Sequence, residues 1–210
     1  MGYVLYGRRQ TGSMAVQAAL DLAGAEWTFR LTPRPTTEAE LAALQSVNPR
    51  GQVPILIHPD GTVITEGPAI LLHLADAFPA AGLAPAPGTS ARAWHDRWLA
   101  FYQANVYEGM LRELFPDRYT TDAANAPALA AAATTYVRRH FLIFDAESAA
   151  RPASPFLCGP KPSVLDLYVW MLCFWMDADW LAANCSTLTA LWHRMRAIPA
   201  LQAIEAEHFG

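Results

Sequence analysis

The chain has no long apolar run, no block of like charge and few cysteines, and each shortage removes a class of function. Its most apolar window, residues 164–176, is interrupted by Asp166 and falls short of the roughly 20 residues that cross a bilayer. It reads as a helix buried on all sides. Three cysteines, Cys158, Cys173 and Cys185, are odd in number and show neither a C-x-x-C pair nor a metal-ligand spacing. Free thiols in a reducing cytoplasm, with no metal site, are therefore expected. The net charge of −4 comes without a basic stripe, which predicts no nucleic-acid partner and no membrane surface. The opening MGYVLYGRRQ enters an apolar strand almost at once, so no secretory leader is expected. The six histidines are scattered, and His73 and His193 fall in helix-like segments where a ligand role is not expected.

What is present is enough apolar material for a sizeable core, 53% of 210 residues, and disorder is excluded. The first part alternates between strand and helix periods. Residues 3–7 and 26–31 read as strands flanking a helix over 13–25, a βαβ unit with parallel strands and a right-handed crossover. A helix over 37–47 follows, with Thr37 and Glu40 at capping-box spacing. Residues 54–58 and 62–65 flank Pro59-Asp60-Gly61 as a hairpin, and a helix begins near Pro68. The Pro-, Gly- and Ala-rich stretch 78–90 reads as a linker. Beyond it Trp94, Trp98, Phe101, Tyr102, Val106 and Met110 recur at helical spacing, then a second such helix, the buried helix after Ser163, and two shorter helices after Thr187 and Pro199. The expected organisation is an α/β domain over 1–77, a linker over 78–90 and an all-α domain over 91–210.

Two features of GQVPILIHPDGTVITEGPA (51–69) break the pattern of a plain hairpin followed by a helix. Proline cannot donate to a sheet ladder, so Pro54 at a strand start leaves a gap. If the Val53–Pro54 bond is cis, the Val53 backbone faces outward at a sheet edge and can pair with a short extended peptide. Pro68 suits the first turn of a helix, which places Glu66 and Gly67 at its N-terminal entrance. Free amides there attract a carboxylate, and Glu66 adds a negative charge beside them, a combination suited to a zwitterion. Ser163 and Asp166 have capping-box spacing at the start of the buried helix and are read as a folding device.

NPRGQVPIL followed by ITEGPAILLHLAD resembles the glutathione-site half of the cytosolic glutathione transferases, and KPSVLDLYVW resembles the capping-box helix of their C-terminal domain. The resemblance spans essentially the whole chain. It implies a thioredoxin-like N-terminal domain, an all-α C-terminal domain and a homodimer. It further implies a cis Pro54, Val53 pairing with the cysteinyl backbone of glutathione, and Glu66, beside Gly67, holding the γ-glutamyl group. The chain departs from the usual pattern at Gly67, where a serine is common, so one hydroxyl donor to the carboxylate is lost.

A thiol with a pKa of about 8.5 is only a few per cent ionised at neutral pH, and lowering it by about two units requires roughly 2.7 kcal/mol. One hydrogen bond to a charged acceptor supplies about 1.5–3 kcal/mol. In LYGRRQTGSMAVQAAL, between the first strand and the first helix, the candidate hydroxyls are Tyr6, Thr11 and Ser13. By alignment with the resembled family, Thr11 falls at the catalytic position of serine-type members and Gly12 at that of cysteine-type members. Thr11 is the first choice and Ser13 the second, while Tyr6 is read as a sheet residue. Arg8, Arg9, Arg50 and Gln52 are weak candidates for neutralising the glycyl carboxylate or steering an anionic tripeptide. Tyr102, Val106 and Met110 are expected to wall the site of a hydrophobic electrophile. The resulting expectation is a cytoplasmic detoxifying transferase with glutathione as co-substrate. The alternatives are a ligand- or protein-binding module without catalysis, and a glutathione-dependent isomerase or disulfide reductase.

Overall fold

The computed structural model describes residues 2–210. Four strands, β1 (Tyr3–Gly7), β2 (Trp27–Leu31), β3 (Ile55–Ile57) and β4 (Val63–Ile64), form one sheet in the order β2-β1-β3-β4. β1 and β2 are parallel, with Leu5 opposite Phe29, whereas β3 runs antiparallel to both β1 and β4. Helices α1 (Ser13–Ala23), α2 (Glu38–Gln45) and α3 (Gly67–Ala77) complete this thioredoxin-like part. α1 stops where Gly24 turns left-handed at φ 64°, the conformation glycine adopts without steric cost. Thr37 and Glu40 close a capping box on α2.

The rest is helical: α4 (Ser90–Phe101), a π-helical turn at Tyr102–Tyr107, α5 (Glu108–Leu114), α6 (Ala126–Ala149), α7 (Val164–Cys173), α8 (Ala178–Asn184), α9 (Ser186–Arg196) and α10 (Pro199–Phe209). The sequence reading missed α8, a short helix whose N-cap Asp177 accepts from the Asp179 and Trp180 amides. Two turns and a single buried leucine give it little apolar periodicity to detect.

α1 carries no charge before Asp21, and its first eight residues, Ser13 to Leu20, are all buried. It rests on β1 and packs against α3, α7 and α10. α7 is buried at every position, as a segment apolar on every face but for Asp166 requires. Buried Asp166 is satisfied by the Leu157 and Ser163 amides, each at 2.8 Å. Burial still raises its pKa. The 78–90 stretch is strapped to this core: Leu83 is buried and its carbonyl accepts from the Val164 amide at 2.7 Å.

Candidate functional site

Of the residues expected to be functional in the α/β part, Thr11, Gln52, Val53, Pro54, Glu66 and Gly67 line one cleft, where three chain features end. The first is the turn before β3. Asn48, buried, accepts from the Arg50 amide through its side chain (3.1 Å) and donates to the Gln52 carbonyl (2.8 Å), and Gly51 turns at φ 63°. A Cβ at Gly51 would also lie 2.8 Å from Leu41 Cδ1, so only glycine suits the turn. The Val53–Pro54 bond that follows is cis, as the family resemblance implied. Val53 precedes the ladder that begins at Ile55.

The second feature is the entrance to α3. Glu66, its N-cap, sits at φ 66° and ψ 111°, a backbone region sparsely occupied by residues with a side chain and associated with functional sites. Its carbonyl accepts the first helical bond from Ile70 at 3.0 Å, which leaves the Gly67 and Ala69 amides at the free N-terminal end. Arg50 pairs with the Glu66 carboxylate at 2.9 Å. A Cβ on Gly67 would meet only Tyr168 Cε2, at 3.6 Å.

The third feature is the N-terminus of α1. Gly12 is its N-cap and supplies no capping side chain. The preceding loop is tied by hydroxyls: Ser13 Oγ accepts from the Arg8 amide (3.1 Å), and both Thr11 Oγ1 and Ser13 Oγ lie 2.8 Å from the Arg8 carbonyl. Ser13 is fully buried and faces that loop, which corrects the expectation that its hydroxyl reaches the cleft. It braces the turn instead. Thr11 lines the cleft. Because Ser13 by itself satisfies the Arg8 carbonyl, Thr11 is free to turn its proton toward a ligand without leaving a buried acceptor unpaired. α10 holds the same loop from the other side. The Gln10 amide donates to His208 Nδ1 (3.0 Å), whose Nε2 contacts Gln17 Oε1 at 3.1 Å.

Gly12, Gln52, Val53, Pro54, Glu66 and Gly67 line the narrow end of the cleft. The wide end, about 520 Å³, is lined by Thr11, Arg8, Arg34, Tyr107, Leu111, Phe115, Arg118 and Trp175 among others. Gln52, Val53, Arg50, Tyr107 and Leu111 belong to both ends, so they form one continuous depression. Tyr6 stays on the sheet, its hydroxyl accepting from Arg30 Nη1 at 2.8 Å.

Residues 13–77 match the family model described as the glutathione S-transferase N-terminal domain. Glutathione S-transferase GstA of Escherichia coli O157:H7 is 28% identical over 164 residues, 77% of each chain. A solved homologue from Sulfitobacter with bound glutathione superimposes with a TM-score of 0.86 over 98% of this chain and 97% of that one, at 23% identity, a likeness of fold. A sphingomonad glutathione S-transferase solved in complex with glutathione is 30% identical, covering 99% of this chain and all of that one, with a TM-score of 0.77. The chain belongs to the cytosolic glutathione S-transferase superfamily.

One expectation for this glutathione transferase relative is corrected by the helical wall. Tyr102, Val106 and Met110 are not on the cleft: all three are buried in the core, where Tyr102 packs edge-on against Phe141 and Phe144. The stripe one residue further along, Gln103, Tyr107 and Leu111, faces the cleft instead. The more apolar stripe is drawn to the core, and its half-polar neighbour, rotated by about 100° per residue, is left for the ligand. Tyr107 is the functional candidate that sequence reasoning missed. It closes the π-helical turn, a feature common at functional sites, and its phenol lies 3.4 Å from where a Cβ of residue 12 would be. Burial, aided by Glu108 and Glu66, pushes the phenol up to about 12, so at neutral pH it is a proton-bearing donor.

Proposed function

We propose that the protein is a glutathione transferase enzyme that ionises the glutathione thiol and directs it at an electrophile in the wide end of the cleft. The observation that carries this reading is the shared depression itself: the Val53 backbone beside a cis proline, the positive-φ Glu66 at the start of α3, and the N-terminus of α1 all open onto it. In this reading the cysteinyl backbone of glutathione pairs with Val53 as an added strand. The γ-glutamyl carboxylate takes the amides at the start of α3, and its ammonium lies against Glu66. Gln52 and Pro54 shape the wall beside it.

The sulfur then points at the start of α1. Thr11 supplies a hydroxyl there, Tyr107 supplies a phenol from the opposite wall, and the helix N-terminus adds a positive field that favours the anion. Each hydrogen bond to a thiolate contributes about 1.5–3 kcal/mol, so either alone approaches the roughly 2.7 kcal/mol required for two pKa units. The thiolate attacks the electrophilic carbon, a C–S bond forms, and the leaving group departs with its bonding pair. Conjugation is favoured over disulfide reduction because Gly12 offers no thiol and none of the three cysteines lines the cleft. A homodimer is the assembly the superfamily membership suggests.

The test combines retention on immobilised glutathione with turnover of a generic chlorodinitrobenzene. Retention with measurable turnover is expected. A protein that passes through the glutathione column and leaves the chlorodinitrobenzene rate at its uncatalysed value contradicts the assignment.

A further inference from the structure

Three guanidinium groups gather at the wide end of the cleft without a carboxylate to neutralise them. Arg8, Arg34 and Arg118 all line it. Among the described residues, the arginines in ion pairs are Arg50, Arg92, Arg97, Arg112, Arg138 and Arg196, and the three are not among them. Arg34 and Arg118 come from distant parts of the chain, the connection after β2 and the turn after α5, yet both guanidiniums sit over the Phe115 ring, at 5.0 and 4.1 Å. Arg8 is held from behind, donating from Nε to the Thr32 carbonyl at 3.0 Å. Burial, then the charges of Arg34 and Arg118, lowers its pKa. Like charges gathered beside an apolar wall of Leu111, Phe115 and Trp175, in a protein with a net charge of −4, make a local positive field that draws an anion.

Glutathione alone does not use up this charge. Its γ-glutamyl zwitterion is matched by Glu66 and the start of α3. Its glycyl carboxylate and its thiolate carry two negative charges, one fewer than the three guanidiniums carry positive ones. One is left over, and Arg118, carried by the helical wall, is the one furthest along the chain from the glutathione-binding turn.

We propose that the second substrate is an apolar or aromatic electrophile carrying a carboxylate or sulfonate, whose anionic group is held by Arg118 with Arg34 while its ring lies against Leu111 and Trp175. This inference rests on the glutathione transferase reading and narrows its substrate class. A guanidinium offers its donors in a planar fork that suits a carboxylate.

A chlorodinitrobenzoate and its neutral carboxamide test the proposal. In each, glutathione thiolate displaces chloride, forming C–S and releasing chloride with the C–Cl pair. Rates are divided by the uncatalysed rate with glutathione to remove intrinsic reactivity. The anionic compound should be favoured by about tenfold in kcat/KM, the effect of one hydrogen bond between charged groups. Arg118→Gln should bring the ratio to within about threefold of unity, and Arg118→Lys, which keeps the charge but not the fork, should fall between.

Calorimetry with the unreactive dinitrobenzoate and dinitrobenzamide, at saturating glutathione, reads the same preference without any turnover. It therefore separates this proposal from the assignment of activity. Equal binding of the two ligands to the parent overturns the anionic-substrate proposal even if conjugation of neutral electrophiles is robust. A preference that survives Arg118→Gln also overturns it. So does an Arg118→Gln variant whose only defect is weaker glutathione binding or a raised thiol pKa in the binary complex, because the guanidinium then serves glutathione.

Discussion

At Thr11 and Tyr107 the difference between a structural and a chemical role comes down to one proton each. Thr11 Oγ1 lies 2.8 Å from a carbonyl that Ser13 also satisfies, so its proton is transferable to a ligand at little cost. Tyr107 keeps its proton because burial holds the phenol near 12. Thr11→Ala and Tyr107→Phe should each reduce kcat/KM by about 10- to 100-fold if each removes one hydrogen bond to an anion. Both should raise the pKa of bound glutathione, read from thiolate absorbance in the binary complex. Ser13→Ala should act differently, destabilising the fold by about 0.5–1.5 kcal/mol because the half-buried Arg8 amide loses its acceptor. Denaturant melts check that. At Gly67 the added Cβ of a serine makes only an ordinary contact. Gly67→Ser should therefore tighten glutathione by about two- to tenfold, the effect of one restored hydrogen bond, as measured by calorimetry.

At the scale of elements, α10 is coupled to the start of α1 through one imidazole. His208 Nδ1 must be unprotonated to accept from Gln10, and Nε2–H then donates to Gln17 Oε1. Burial lowers its pKa; Glu207 opposes and Arg9 adds to that shift. The unfolded chain therefore takes up this proton first as the pH falls, and the fold loses stability below the ordinary histidine value of about 6.5 while gaining nothing above it. His73 and His95 are lowered for the same leading reason and steepen the same limb. His208→Gln should flatten part of this acid limb in melting temperature against pH, whereas the parent should stay level from about 7 to 8. The elements themselves were mostly legible in sequence, since strands, caps and the helix start at Gly67-Pro68 follow from local residue chemistry. Which stripe of the helix at 90–114 faces the ligand was not legible. Tyr102 and Tyr107 are equally aromatic, and only the packing of Phe141 and Phe144 against Tyr102 decides between them.

For the whole molecule, we propose two lobes, residues 1–77 and 91–210, joined through 78–90. They share one core: α1 of the first packs on α7 and α10 of the second, and Leu83 of the joining stretch is bonded to the start of α7. Heat or denaturant should therefore give one transition, with tryptophan emission and far-ultraviolet dichroism coincident. Because Trp27 is the only tryptophan in the first 77 residues, emission reports mainly the helical lobe, and a split between the two probes would show the lobes melting separately. The arginine cluster was hidden in the sequence for a related reason. Arg8, Arg34 and Arg118 are far apart along the chain and meet only when the two lobes close around Phe115.

The proposed chemistry depends on where a bound tripeptide lies, and a crystal structure of the protein grown with glutathione tests this most directly. It should show the cysteinyl N–H and C=O paired with Val53, and the sulfur within hydrogen-bond reach of the Thr11 hydroxyl or the Tyr107 phenol. A cleft left empty at saturating glutathione, or a sulfur turned to solvent with the Val53 backbone unpaired, would contradict it.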